Sequence, residues 1–226
     1  MIADTFFNLD ILVAAWPILW RGLLVTIGLS VVVVPLGFAG GLALALLSTM
    51  RSRWIRAPLV VWVDFFRAFP PLVLLILLYS GLPFAGLHLN GFTCVAIGFF
   101  LNTGAYYAEV LRAGLLSVPP GLAEAGRSTG LTSLQALRAV VLPLAVRNVL
   151  PDLLSNTLEV VKLTSLASVV ALPELLFQAR QAQSVTYNAT PIVAAAVMYF
   201  LLLWPFVRLM SRLENQAIAG QRSGVA

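Results

Sequence analysis

Two acid–base pairs stand three residues apart in oily surroundings: Glu109 with Arg112, and Glu159 with Lys162. At that spacing both members lie on one helix face and partly neutralise each other. Their surroundings make them informative, because 60% of the 226 residues are hydrophobic, 10% are charged and the mean hydropathy is +0.96. Soluble domains run near ~45–50% apolar and ~25% charged, so the composition argues against a soluble enzyme, a nucleic-acid binder or a disordered scaffold. The chain reads as an integral membrane protein. An ionisable residue within a bilayer is expensive and marks a pathway or a paired partner. Ser155, Asn156, Glu159, Lys162, Thr164, Ser165 and Ser168 keep one segment polar for over three turns. Asn102 and Tyr106, one turn apart, are placed to share a cavity with that segment, as is Glu109. For Glu159 and Lys162 two readings stand side by side, the wall of a translocation path and a structural pair between helices. Arg112 reads as a side chain that snorkels to the interface.

Other chemistry is scarce. One cysteine, Cys94, and one histidine, His88, provide no disulfide framework, few routes to a zinc site and no Ser-His-Asp machinery. Cys94 sits in an apolar run and reads as packing. No Gly-rich run ends in Gly-Lys-Ser/Thr, so no phosphate cradle is encoded and no ATP hydrolysis is expected of this chain. No bound cofactor or metal is expected either.

The elements that must hold these residues follow from charge-free runs, since a helix needs about 20 apolar residues to cross about 30 Å of hydrocarbon. Gly22 to Met50 is the first span, with Pro35 and Gly37 inside. The run from Ala68 to Ala108 is too long for one crossing and is broken by Gly81, Pro83, Gly86, His88, Asn90 and Gly91. It gives a second span over Pro58 to Leu82 and a third over Phe92 to Leu116. Val140 to Leu176, with Pro143, Pro151, Pro173, Arg147, Asp152, Glu159 and Lys162, reads as an irregular fourth span facing protein or water. The fifth lies within Gln181 to Val207, with a core from Pro191 to Leu209, after a polar stretch, Gln178 to Asn188, that reads as an outer loop. Residues 1–20 lack a basic secretory n-region. The three- and four-residue steps of Phe6, Leu9, Val13, Trp16 and Trp20 fit either an interfacial helix or an extension of the first span.

Orientation follows from the arginines. Arg51, Arg53, Arg56, Arg112, Arg127, Arg138, Arg147, Arg208, Arg212 and Arg222 fall beside the ends and loops that five crossings place in the cytoplasm. The N-terminus is then outside and the tail, 213–226, inside. The expected architecture is an all-α membrane protein with residues 21–212 as its transmembrane domain.

Ser117 to Leu142 is too long for a turn and too patterned for a linker. Pro119, Pro120 and Gly121 stop the third span, and Leu122 to Thr129 predicts a short helix with Glu124 in its first turn. Gly130 suits a left-handed cap, and Thr132 with Gln135 supplies a capping-box pattern for a second helix running toward Val140. Leu131, Leu134, Leu137 and Val141 form an apolar stripe with no lipid to face, while Arg127 and Arg138 hold the segment in water. Such a knob invites a protein partner.

These residues resemble a known family. Glu124, Ala125, Gly126, then Gly130, Val140, Leu142 and Pro143 look like the EAA loop of permease subunits in bacterial ABC importers. Asn102, Tyr106, Glu109, Arg112 and Gly114, with Lys162, Thr164, Ser165 and Leu166, resemble its polar amino-acid branch, and Arg67, Pro70 and Leu72 its second-span entry. The sequence departs in having Gly126 where a second alanine is usual, Leu122 for glutamine, and Leu163 for the aspartate before Thr164, the last bearing on substrate class. The resemblance implies that Glu124, Ala125, Gly126, Arg127, Gly130 and Leu131 couple to a cytosolic ATPase pair that carries ATP and Mg. It implies further a second permease subunit, a periplasmic solute-binding protein, a polar amino acid or similar solute, and residence in the bacterial inner membrane. Asn102, Tyr106, Glu109, Glu159, Lys162, Thr164 and Ser165 are the corresponding path residues. A proton-driven transporter using Glu109 or Glu159, and an intramembrane hydrolase, are the alternatives.

Overall fold

The structure, a computed structural model, describes residues 2–50 and 52–223, with side chains over 4–50 and 52–212. Arg51, the Arg222 side chain and the end of the 213–226 tail lie outside the described residues. Every element among the described residues is helical. The α-helices in chain order are α1 (Ile2–Phe6), α2 (Leu9–Ser48), α3 (Arg53–Ala68), α4 (Pro71–Ile76), α5 (Gly91–Ser117), α6 (Pro120–Ser128), α7 (Ser133–Ala136), α8 (Leu142–Asn148), α9 (Leu150–Leu163), α10 (Leu175–Thr186) and α11 (Thr190–Ser223).

Four stretches are long and apolar enough to cross a bilayer: Asp4–Ser48, Gly91–Ser117, Leu150–Val170 and Thr190–Arg212. Arg53–Ala68 and Pro71–Ala85 pass that test only together and are bent by 97°. The second span expected over Pro58 to Leu82 thus falls on this bent pair, which is either a broken span or a re-entrant loop. The reason for the bend is local. Phe69 precedes Pro70, Pro70 precedes Pro71, and both Phe69 (φ −79, ψ 126) and Pro70 (φ −61, ψ 125) take the extended conformation imposed before a proline.

Three other boundaries move. The N-terminal segment extends the first span, since α2 starts at Leu9 and is unbroken to Ser48. The fourth span narrows to Leu150–Val170, because the chain turns at Val149 between α8 and α9. The outer loop expected over Gln178 to Asn188 is largely a helix: α10 has Leu175, Ala179 and Ala182 buried along one face. Spacing of four and three residues, diluted by glutamines, hid that face.

Prolines also shape the helix interiors. Leu77–Gly81 and Leu137–Val141 are both wide π turns, and each ends two residues before a proline, Pro83 and Pro143. A proline has no N–H for the carbonyl four residues back and its ring pushes against that carbonyl, so the helix widens there by one residue.

The chain divides into two compact units, one comprising residues up to Pro35, Pro70–Phe99 and those from Leu158 onward, the other Leu36–Phe69 and Phe100–Thr157. In the first, Ala15 and Leu19 of α2 pack with Leu175, Ala179 and Ala182 of α10 and Ala195 and Met198 of α11. The amino end is tied to the start of α11 by Ala189 N–H to Thr5 O (2.9 Å) and Asn8 N–H to Thr190 Oγ1 (3.0 Å). In the second, Val63, Ala105 and Ala108 form a core with Leu44, Trp62 and Phe66. Gly41 lets α2 lie against α5, since a Cβ there would stand 2.8 Å from the Ala108 nitrogen. Small residues serve this purpose in membrane helices because attraction there comes from packing rather than from water exclusion. Tyr107 and Thr157 hydroxyls, 2.7 Å apart, join α5 to α9.

Candidate coupling loop and transport path

The candidate coupling loop is built by local rules. Pro119 (φ −57, ψ 132) leads into α6, with Pro120 at its first position, where a missing N–H costs nothing. The helix therefore begins two residues earlier than Leu122. Glu124 sits in its second turn, a correction to its expected place in the first. At the other end Gly130 N–H bonds Arg127 O (3.0 Å), Leu131 N–H bonds Gly126 O (3.3 Å), and Gly130 has φ +93. That is the Schellman arrangement, in which a left-handed glycine turns the chain back onto the last carbonyls. Immediately after it, Gln135 N–H donates to Thr132 Oγ1 (3.3 Å) and Thr132 N–H to Gln135 Oε1 (2.9 Å). This is the reciprocal capping box.

Two capped helices thus meet at a one-glycine elbow, and Gly126 packs its bare Cα toward Val140, Leu131 and Ala136. Along the apolar stripe, Leu134 is 54% exposed whereas Leu131, Leu137 and Val141 are partly covered. Glu124, Arg127, Ser128, Gly130, Leu131 and Thr132 line an open concavity of about 470 Å³. Ala125, Glu124, Arg127 and Arg138 are exposed, and no described residue forms an ion pair with Glu124.

Of the expected path residues, Asn102, Tyr106 and Glu109 come together on α5. Asn102 is buried and its Nδ2 donates to Phe66 O (2.9 Å); Tyr106 OH donates to Arg67 O (3.1 Å). Both carbonyls belong to the last turn of α3, where no helical N–H is available and where the following Pro70 and Pro71 have none to give. Asn102 Oδ1 and Arg67 Nε are buried without a partner among the described residues. Glu109 takes a two-pronged hydrogen bond from Arg112, whose Nε stands at 2.9 Å, and lies 4.0 Å from Arg67 Nη1. Arg67 in turn stands 5.7 Å above the Tyr106 ring, within cation–π range.

Glu159, Lys162, Thr164 and Ser165 lie in the other unit. Lys162 Nζ meets Glu159 Oε2 at 3.2 Å, with both side chains more than half exposed. Ser165 Oγ donates to Lys162 O (2.8 Å), and Thr164, fully buried, donates to Val161 O (2.6 Å). From Thr164 to Val170 the backbone tightens into a seven-residue 3₁₀ segment, ending at Ala171 with φ 54. Runs beyond three or four such residues are uncommon.

Residues 37–218 match the family described as binding-protein-dependent transport system inner membrane component. The chain belongs to that family. It is 35% identical over 177 residues, 78% of either chain, to the probable amino-acid ABC transporter permease protein YckA of Bacillus subtilis. It is 32% identical to the glutamine transport system permease protein GlnP of Escherichia coli, over 89% of this chain and 94% of that one. A crystal structure of an amino acid ABC transporter with histidines superposes with a TM-score of 0.81 at 34% identity, covering 91% of this chain and 96% of the other. The methionine transporter MetNI, TM-score 0.74 at 22% identity, shares the fold. The protein is thus a membrane permease subunit of an ABC importer, in which ATP hydrolysis is carried by separate subunits.

One polar cluster of the permease escaped the sequence reading. Glu174 is fully buried, and its carboxylate accepts Phe177 N–H (2.6 Å), Leu176 N–H (2.8 Å) and Tyr199 OH (2.8 Å). Thr26 Oγ1 accepts Leu175 N–H beside it (3.2 Å). The carboxylate caps α10, and an acid after Pro173 at the head of an apolar-faced helix was the available signal. Its remaining donor, Tyr199, stands 25 residues downstream and no local pattern reveals it.

Proposed function

We propose that this permease admits a polar amino acid across the bacterial inner membrane, with α6 and α7 as the seat of a cytosolic ATPase. In this reading the chain crosses the membrane five times with the bent α3–α4 pair as one crossing, the N-terminus outside and the C-terminus inside. It works with a second copy or a sister subunit and receives solute from a periplasmic binding protein. ATP and Mg belong to the ATPase pair. The observation that carries the coupling role is the doubly capped elbow with an exposed Glu124, unpaired among the described residues, beside an open concavity. A rigid pair of helices transmits a push, and an unpaired carboxylate is available for a charge-assisted bond to a basic group of the partner. The amino-acid class is supported by the functions of the relatives and by the paired charges Glu109–Arg112 and Glu159–Lys162, which offer an acid and a base to a zwitterion. Asn102, Tyr106, Thr164 and Ser165 complete the proposed path, the first two by holding the end of α3 in place.

Deleting Gly121–Leu131 should leave a membrane-inserted chain that neither stimulates its ATPase nor supports uptake; unaltered transport would overturn the coupling role. Sidedness is checked separately with Ser128→Cys and a membrane-impermeant maleimide, since the native Cys94 is buried at 1% exposure. Labelling from the periplasmic face alone would defeat the topology.

A further inference from the structure

A second polar cavity lies away from the coupling loop. Leu44, Leu59, Val60 and Leu116 wall a half-open space of about 440 Å³ whose polar rim is Ser48, Thr49, Arg56, Asp64, Glu109 and Arg112. Most of that rim is already engaged. Ser48 and Thr49 hydroxyls donate to Ala45 O (2.7 Å) and Leu46 O (2.8 Å), closing the end of α2. Glu109 is held by Arg112 and flanked by Arg67. Arg56 and Asp64 are left: both are exposed on α3, and neither has an ion-pair partner within 4.0 Å among the described residues. Eight residues apart, they sit about 12 Å apart along the helix, within reach of each other's ligand once the long Arg56 side chain leans inward.

The surroundings set the level of the cavity. Trp54 is 81% exposed with the Arg53 guanidinium 5.6 Å from its ring, and Val61, Leu116 and Leu47 present exposed apolar surface nearby. Tryptophan and arginine gather at the membrane–water boundary, so the charged rim lies at headgroup depth and the leucine and valine wall continues toward the acyl chains.

We infer that this cavity holds a phospholipid whose headgroup carries a phosphate and a primary ammonium. Arg56 takes the phosphate in the forked geometry guanidinium favours. Asp64 accepts the ammonium N–H, and one acyl chain lies along Leu59, Val60 and Leu116. A free amino acid presents the same two charges but has no chain to cover that wall. The site is independent of the coupling loop but borders Glu109 and Arg112 of the proposed solute path, so competition by amino acids separates the two.

The test is lipid retention by the delipidated full-length chain in detergent, read by native mass spectrometry. It is challenged with phosphatidylethanolamine, phosphatidylcholine and phosphatidylglycerol of identical acyl chains. Phosphatidylethanolamine should be held about tenfold more tightly than phosphatidylglycerol, the weight of one hydrogen bond to a charged group. Phosphatidylcholine, whose methylated nitrogen cannot donate, should fall between. Asp64→Asn should bring phosphatidylethanolamine down to the phosphatidylglycerol level, and Arg56→Gln should weaken all three alike. Equal retention of the three lipids, a preference that survives Asp64→Asn, or retention unmoved by Arg56→Gln would overturn the site. So would displacement of the lipid by millimolar glutamine, glutamate, histidine or arginine, which would make the cavity a solute site.

Discussion

Gly126 and Gly130 stand four residues apart in the proposed coupling loop, and the same substitution should have opposite effects at the two. Gly126 lies within α6 in helical conformation. A Cβ there would meet Val140 Cγ2 at 3.4 Å, Leu131 Cδ1 at 3.6 Å and Ala136 Cβ at 3.7 Å, all ordinary contact distances. Gly126→Ala should therefore gain about 0.5–1 kcal/mol from reduced backbone freedom in the unfolded chain, plus roughly 0.1–0.2 kcal/mol for each new contact. Gly130 has open space around a Cβ but a φ of +93. Gly130→Ala is thus penalised by conformation alone, by about 1–2 kcal/mol. Thermal unfolding of each variant in detergent checks the signs, with about 2–4 °C expected per kcal/mol for a chain of this size. ATPase stimulation in the reconstituted importer should survive Gly126→Ala and fall with Gly130→Ala, because only the second opens the Schellman turn that fixes the elbow. A Gly126→Ala protein less stable than the parent, or a Gly130→Ala protein indistinguishable from it, would refute the reading of this loop as a packed and capped unit.

Other outcomes follow from the same geometry. Asn102→Ala leaves Phe66 O buried without its donor and should lower stability by about 1–3 kcal/mol, more than Tyr106→Phe; unchanged unfolding with weakened solute affinity would show that Asn102 serves the path alone. Tyr199→Phe removes one of three donors from the buried Glu174 carboxylate and should cost about 1.5–3 kcal/mol, measured as a lower unfolding midpoint without change in solute selectivity. Glu124→Arg reverses an exposed charge and should shift stability by no more than about 0.5 kcal/mol while abolishing ATPase stimulation; normal stimulation would remove Glu124 from the coupling contact.

Much of this permease was legible in its sequence because much of it is set by interactions within a few residues. Hydropathy placed the α5 span within a residue at each end, Gly91–Ser117 against Phe92 to Leu116, since an apolar run of that length, with only the mutually neutralising Glu109 and Arg112 charged, has no other comfortable solvent. The elbow at Gly130 and the capping box at Thr132 were readable for the same reason, as both close over three to five residues. What the chain alone left open depends on partners distant in sequence. Asn102 reads as a polar side chain in a membrane until Phe66 O, 36 residues earlier, is found facing it. The glutamine-rich stretch reads as a loop until Ala15 and Leu19 are found covering the alanines of α10. The Pro70–Pro71 step announces a break but not its 97° angle. Local sequence settles where hydrogen bonds within a helix must stop; only the tertiary structure supplies the distant donors that satisfy what is left exposed there.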